Sequence, residues 1–133
     1  MTEPASSNPT VLLLDDEESV RRALRLYLER HAYHPVEAGT VQDAVALMRQ
    51  TRFEAVIFDL RLPGGLSGFD ALEALRRIPE FASIPVLIVT GSVLTEAEEI
   101  QITRQRAHVI YKPEGFGTVV SFLDQLTGRD FSH

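Results

Sequence analysis

Asp15 and Asp16 follow an uninterrupted apolar run at 11–14, Asp59 closes a run at 56–58, Thr90 closes one at 86–89, and Lys112 follows one at 109–111. Four apolar runs thus end in three carboxylates, one hydroxyl and one ammonium group. If the runs are strands of one open α/β sheet, these groups meet outside the carboxyl ends of the strands, where such sheets bind ligands. Three carboxylates in one crevice repel one another and need a cation, more than one lysine supplies. Oxygen donors without His or Cys suit a hard ion, Mg²⁺ above all, which keeps several waters and often one phosphate oxygen. Each residue taken alone has a plainer reading. Asp15 with Glu18 has capping-box spacing, so Asp15 or Asp16 could cap the helix that follows. Asp59 could be a turn residue and Thr90 a structural hydroxyl. Their coincidence at four run ends is what favours a site.

The elements that must position these groups show two periods. The apolar runs suit strands buried on both faces of a parallel sheet, and a weaker strand is expected at 34–38. Between them, Val20, Ala23, Leu24, Tyr27 and Leu28 repeat at helical spacing. Ala44, Leu47 and Met48 mark a second helix with Thr40 as its N-cap. Phe69, Leu72, Leu75 and Ile78 mark a third, stopped by Pro79. A fourth at 95–105 has a thin stripe of Ala97, Ile100 and Ile102. A fifth at 116–126 turns Val119, Val120, Leu123 and Leu126 inward and ends before Gly128. Five strand–helix pairs predict a doubly wound α/β sheet.

Composition narrows the classes. A length of 133 residues predicts one domain. With 13 basic against 19 acidic residues and a net charge of −6, a nucleic-acid-coating protein is disfavoured. No cysteine is present, which excludes disulfides, thiol catalysis and zinc–thiolate sites. Apolar stretches of about five residues fall far short of the roughly 20 that span a bilayer, and the first residues lack the basic and apolar regions of a signal peptide. The expectation is a cytoplasmic domain at 10–127, with a disordered lead-in at 1–9 and a short tail at 128–133. Lys112 is the one lysine among the 13 basic residues.

Four stretches in order, VLLLDDEESVRRAL, FEAVIFDLRLPGGLSGFDAL, IPVLIVTGS and VIYKPEGF, make the chain resemble the receiver domain of two-component response regulators, in a stand-alone, chemotaxis-regulator-like form. The resemblance covers roughly residues 10–127. It implies a flavodoxin-like five-stranded parallel sheet of order 2-1-3-4-5 with helices on both faces. It implies Asp59 as phosphoacceptor and as one of the Mg²⁺-binding carboxylates, Asp16 as a direct Mg²⁺ ligand, Asp15 as a ligand through water, and the backbone carbonyl of Arg61 as a further ligand, with Mn²⁺ as the alternative ion. Lys112 would pair with a phosphoryl oxygen and Thr90 would close onto the phosphoryl group. A cis bond before Pro113 would help aim Lys112. The implied partners are a sensor histidine kinase or phosphotransfer protein and an output protein on the face of the fourth helix and fifth strand, which could also meet a second copy. Such a domain is a signalling module rather than an enzyme, catalysing its own phosphorylation and dephosphorylation.

Two positions depart from the family pattern. The aromatic usual three residues before the lysine is Val109 here, and Tyr111 stands next to Lys112 on the same strand face. Whether Tyr111 replaces the missing gate is open. The loop after Asp59 is one residue longer, with Gly64 and Gly65 adjacent, and Arg61 places a large cation in it. Three other readings stand beside the first: an interaction module not switched by phosphorylation, a piece of a hybrid kinase or larger regulator, and an Asp-nucleophile phosphatase. The last is disfavoured because Asp59 is on the third strand and Arg61 occupies its plus-two position.

Overall fold

The computed structural model describes residues 8–15, 17–59, 68–90, 93–111 and 116–128. Its elements are β1 (Thr10–Leu14), α1 (Glu18–Arg30), β2 (His34–Ala38), α2 (Val41–Gln50), β3 (Ala55–Asp59), α3 (Gly68–Arg76), a 3₁₀ turn (Pro79–Phe81), β4 (Val86–Thr90), α4 (Glu96–Arg104), β5 (Ala107–Tyr111) and α5 (Phe116–Leu126). All strand pairs are parallel, in the order β2-β1-β3-β4-β5. This is the flavodoxin-like arrangement expected.

Strand alternation divides the core into two layers. Leu12, Leu14, Val56, Phe58, Val86 and Ile88 face Ala44, Met48, Leu72, Leu75 and Ile102 of α2, α3 and α4. Val11, Leu13, Ala55, Ile57 and Leu87 face Leu24, Leu28, Val119, Val120 and Leu123 of α1 and α5. Burial on both faces explains why β1, β3 and β4 read as unbroken apolar runs. On β2 the register places Pro35 beside Val11; a residue without an N–H is tolerated on an edge strand.

Local signals behave as their chemistry demands. Thr40 accepts a hydrogen bond from the Asp43 amide at 3.1 Å and caps α2. Thr95 and Glu98 form a reciprocal capping box on α4. Gly128, at φ +76°, stands just past α5. Three expectations are corrected. The stripe of α4 is thinner than Ala97, Ile100 and Ile102: Ile102 alone is buried, Ala97 is exposed, and Ile100 is 48% exposed. Leu94, ahead of the helix, supplies the second apolar anchor. On α1, Ala23 is exposed, so the buried stripe narrows to Leu24 and Leu28. After α3 the chain makes a 3₁₀ turn opened by Pro79, whose fixed φ suits a first helical position.

Candidate functional site

Parallel pairing brings the ends of β1, β3, β4 and β5 to one edge. Leu14 lies opposite Phe58, so Asp15 and Asp59, one residue further along, end neighbouring strands, spaced ~4.8 Å apart. Asp59 in turn lies opposite Val89, and Thr90 opposite Tyr111. Asp59 enters through its backbone position. Asp16, Arg61 and Lys112, and with them the Lys112–Pro113 bond and the longer loop, lie outside the described residues.

Asp15 is held at all three of its polar groups. Its N–H donates to the Ala38 carbonyl at 3.2 Å. Its carboxylate accepts from the Glu17 N–H at 2.9 Å, closing an Asx turn. Its carbonyl accepts from Arg21 Nη1 at 2.6 Å. The helix-capping reading of Asp15 is not realised: the N-cap of α1 is Glu17, which makes no side-chain cap bond. The Asp15 carboxylate lies instead just ahead of the N-terminus of α1, where the helix dipole favours an anion.

Arg21 and its partners are the part of the site that sequence reasoning missed. Arg21 Nε donates to Glu37 Oε1 at 2.9 Å while its Nη1 holds the Asp15 carbonyl. The other oxygen of Glu37 lies 2.7 Å from Arg25 Nε; that contact is an ion pair without hydrogen-bond alignment, since Arg25 Nε has no aligned acceptor. Arg21 and Glu37 are separated by 16 residues, so no local pattern joins them. The one available signal was a glutamate within the expected strand at 34–38.

Thr90 is fully buried, the one buried polar residue among those described. By alternation it shares the α2–α3–α4 side with Ile88 and Val86. Val109 packs against that same core layer, whereas Tyr111 is 39% exposed. Val109 is thus a packed core residue, and the exposed Tyr111 pairs with Thr90 on the neighbouring strand. Behind Asp15, an apolar cavity of about 320 Å³ opens between β1, β3, α1 and α5, lined by Leu13, Ile57, Leu24 and Phe116 and reached by Arg21.

No group of three metal-binding side chains gathers among the described residues. What they contribute toward a cation is an oxygen donor, Asp15, fixed by a backbone amide beside a second acidic strand end. That donor chemistry fits a hard ion. Among the described residues, no helix is long and apolar enough to cross a membrane.

Comparisons with known proteins bear on the fold and the family. Protein PilH from Pseudomonas aeruginosa is 38% identical over 80 residues, 60% of this chain and 65% of its own length. The chain spans about a third to two thirds of the length of the curated relatives it matches. Chemotaxis protein CheY4 of Vibrio cholerae superposes with a TM-score of 0.83 at 23% identity, covering 90% of this chain and 99% of that one. The receiver domain of sensor histidine kinase PA1611 from Pseudomonas aeruginosa, described with a magnesium ion coordinated in its active-site cleft, gives a TM-score of 0.81 at 20% identity, covering 92% and 99%. These two likenesses show the fold. The sequence match carries more: the family model for the response regulator receiver domain runs through residues 11–124, spanning all four strand ends, and the chain belongs to that family.

Proposed function

We propose that this receiver takes a phosphoryl group on Asp59 from a sensor histidine kinase or phosphotransfer protein in the cytoplasm, and that the transfer changes its affinity for an output partner. The observation that carries this reading is the convergence of β1, β3, β4 and β5, with an anchored Asp15 carboxylate beside the Asp59 strand end and Thr90 on the next strand. In the transfer, an Asp59 carboxylate oxygen forms a bond to phosphorus as the bond between phosphorus and the donor breaks, giving an aspartyl phosphate. Asp15, Asp16 and the Arg61 carbonyl would hold Mg²⁺, or Mn²⁺ in its place, which when bound neutralises charge on the carboxylates and on the incoming phosphoryl oxygens. Lys112 offers a compact ammonium to a phosphoryl oxygen, a role that a planar guanidinium fills differently. The Thr90 hydroxyl, buried at its strand end, is the donor that closes on the product. The phosphoryl unit is residues 10–127, and its chemistry acts on itself rather than on a separate substrate.

The output surface is the α4–β5 side. Val93 is 91% exposed there, and Ile100 and Tyr111 add apolar surface, which suits an output protein or a second copy of the chain. A second reading, an interaction module indifferent to phosphate, draws on Val109, which is packed where an aromatic gate would turn. Incubation with Mg²⁺ and acetyl phosphate separates the two. Labelling of the native chain and none of Asp59→Asn is the expected result. Equal labelling of both refutes Asp59 as acceptor, and labelling without any change in partner affinity favours the second reading.

A further inference from the structure

We infer that Arg21 and Glu37 form a positioning clamp that sets the metal affinity of this receiver through the Asp15 carbonyl. The inference rests on the phosphoacceptor reading above and adds to it residues of α1 and β2 that lie behind the acidic edge. A peptide group is planar. The Asp15 N–H, bonded to Ala38, belongs to the peptide group entering Asp15, and the Asp15 oxygen, held by Arg21 at 2.6 Å, belongs to the one leaving it, so the two bonds anchor two consecutive planar groups where the chain leaves β1. The carboxylate of Asp15 is aimed in that same frame by the Glu17 amide.

Arginine suits the task because its fork serves two acceptors at once: Nη1 takes the carbonyl and Nε takes Glu37. The Arg21 side chain is only 16% exposed, so its position is set by packing as well as by bonds. Glu37 has a second duty. Arg21 and Arg25 bring two positive charges near an edge that must attract a cation, and Glu37 pairs with both, at 2.9 and 2.7 Å. Without that carboxylate the guanidinium groups would repel the incoming ion. Arg21 is thus a positioning residue, acting on the metal through Asp15, and Glu37 both orients it and screens its charge.

The test is a Mg²⁺ titration followed by amide NMR, on the full chain, with thermal unfolding of the metal-free proteins in parallel. Arg21→Met is expected to raise the Mg²⁺ Kd about tenfold, as loss of an outer partner of a metal ligand does, while phosphorylation from acetyl phosphate at saturating Mg²⁺ stays within about threefold of native. Arg21→Lys, which can satisfy one acceptor but not both, falls between. Glu37→Gln keeps the shape and removes the charge, so it weakens Mg²⁺ several-fold, the more so at low salt. Arg76→Met, at the opposite edge of the sheet, is the control: it lowers the unfolding temperature and leaves the Kd unchanged. If Arg21→Lys and Glu37→Gln keep the native Mg²⁺ affinity, the clamp is a strut and the inference is overturned, whether or not Arg21→Met folds. A native chain that binds no Mg²⁺, or an Asp59→Asn variant labelled as well as native, overturns the phosphoacceptor reading and this inference with it. Normal native behaviour with unmoved variants overturns the clamp alone.

Discussion

The two edges of the sheet use arginine in the same way for different ends. At the amino edge, Arg76 donates to four carbonyls, those of Gln105 at 2.9 Å, Phe81 at 3.1 Å, Ile84 at 2.7 Å and Arg106 at 3.4 Å, while Arg106 reaches the Ala82 carbonyl at 2.7 Å. Burial, and then the nearby Arg106 guanidinium, pull Arg76 below the usual arginine range. Its bonds tie the end of α3 to the turns entering β4 and β5. Tyr33 does the same for the turn into β2, donating to Asp124 of α5 at 2.6 Å. At the carboxyl edge, Arg21 also holds a carbonyl, but that carbonyl belongs to an acidic residue at a strand end, and the guanidinium is balanced by Glu37. One edge uses its polar groups to close turns; at the other, among the described residues, the backbone of Asp15 is anchored where β1 ends beside β3. An open α/β sheet places ligands at the second edge, and the hydrogen bonds of this chain follow that division.

The largest effect that would break the comparison is at Asp59. Asp59→Asn should abolish phosphoryl labelling altogether, yet leave the metal-free unfolding temperature unchanged or raised, because it removes one of several repelling carboxylates. A large drop in that temperature would mean that the acidic edge also holds the fold together. Next comes Arg76→Met, which removes the side-chain donor from carbonyls in the two turns entering β4 and β5. It should cost about 2–3 kcal/mol and on the order of 10 °C in melting temperature, with labelling per folded molecule unchanged. Loss of labelling in the folded variant would show that the edges are coupled through β4 and β5.

The division between edges also marks what the sequence could tell. Strands, helices and the Thr40 cap were readable because each depends on residues within a turn or two of one another. The convergence of β1, β3, β4 and β5 at one edge was readable because each is an unbroken apolar run that a parallel sheet buries on both faces. Ile100 was placed inward because helical spacing cannot say how wide a buried stripe is; Leu94, arriving from the loop, took the place in the core. Asp15 looked like a cap because Glu18 stands three residues on, but its carboxylate accepts from the N–H two residues on, an Asx turn, and Glu17 took the N-cap position. The arginine networks were invisible for a different reason. Arg21 pairs with Glu37 across 16 positions and Arg76 with Arg106 across 30, and among 13 basic residues nothing local distinguishes a clamp from a solvated charge.

Two smaller changes sharpen the contrast. Tyr33→Phe removes one hydroxyl from the amino edge, leaving Asp124 without its donor at 2.6 Å. The expected cost is about 1 kcal/mol, since a short bond to a carboxylate is lost but Asp124 is half-buried and can take up water. Urea unfolding should show it, with Mg²⁺ affinity unmoved. The mildest probe lies at the carboxyl edge. Gly39 follows β2, and a Cβ built on it would lie 3.2 Å from Arg21 Nη1, the atom that holds the Asp15 carbonyl. Gly39→Ala should push the guanidinium by a few tenths of an ångström and lengthen that one bond, raising the Mg²⁺ Kd about twofold. Its effect on stability should stay within about 1 kcal/mol, because an alanine also restrains the unfolded chain. A lower Mg²⁺ affinity at native stability would show the carbonyl bond acting on the metal site apart from the fold. An unchanged Kd would mean that Arg21 yields to the methyl group without moving Asp15, and the clamp would have to act mainly through Glu37.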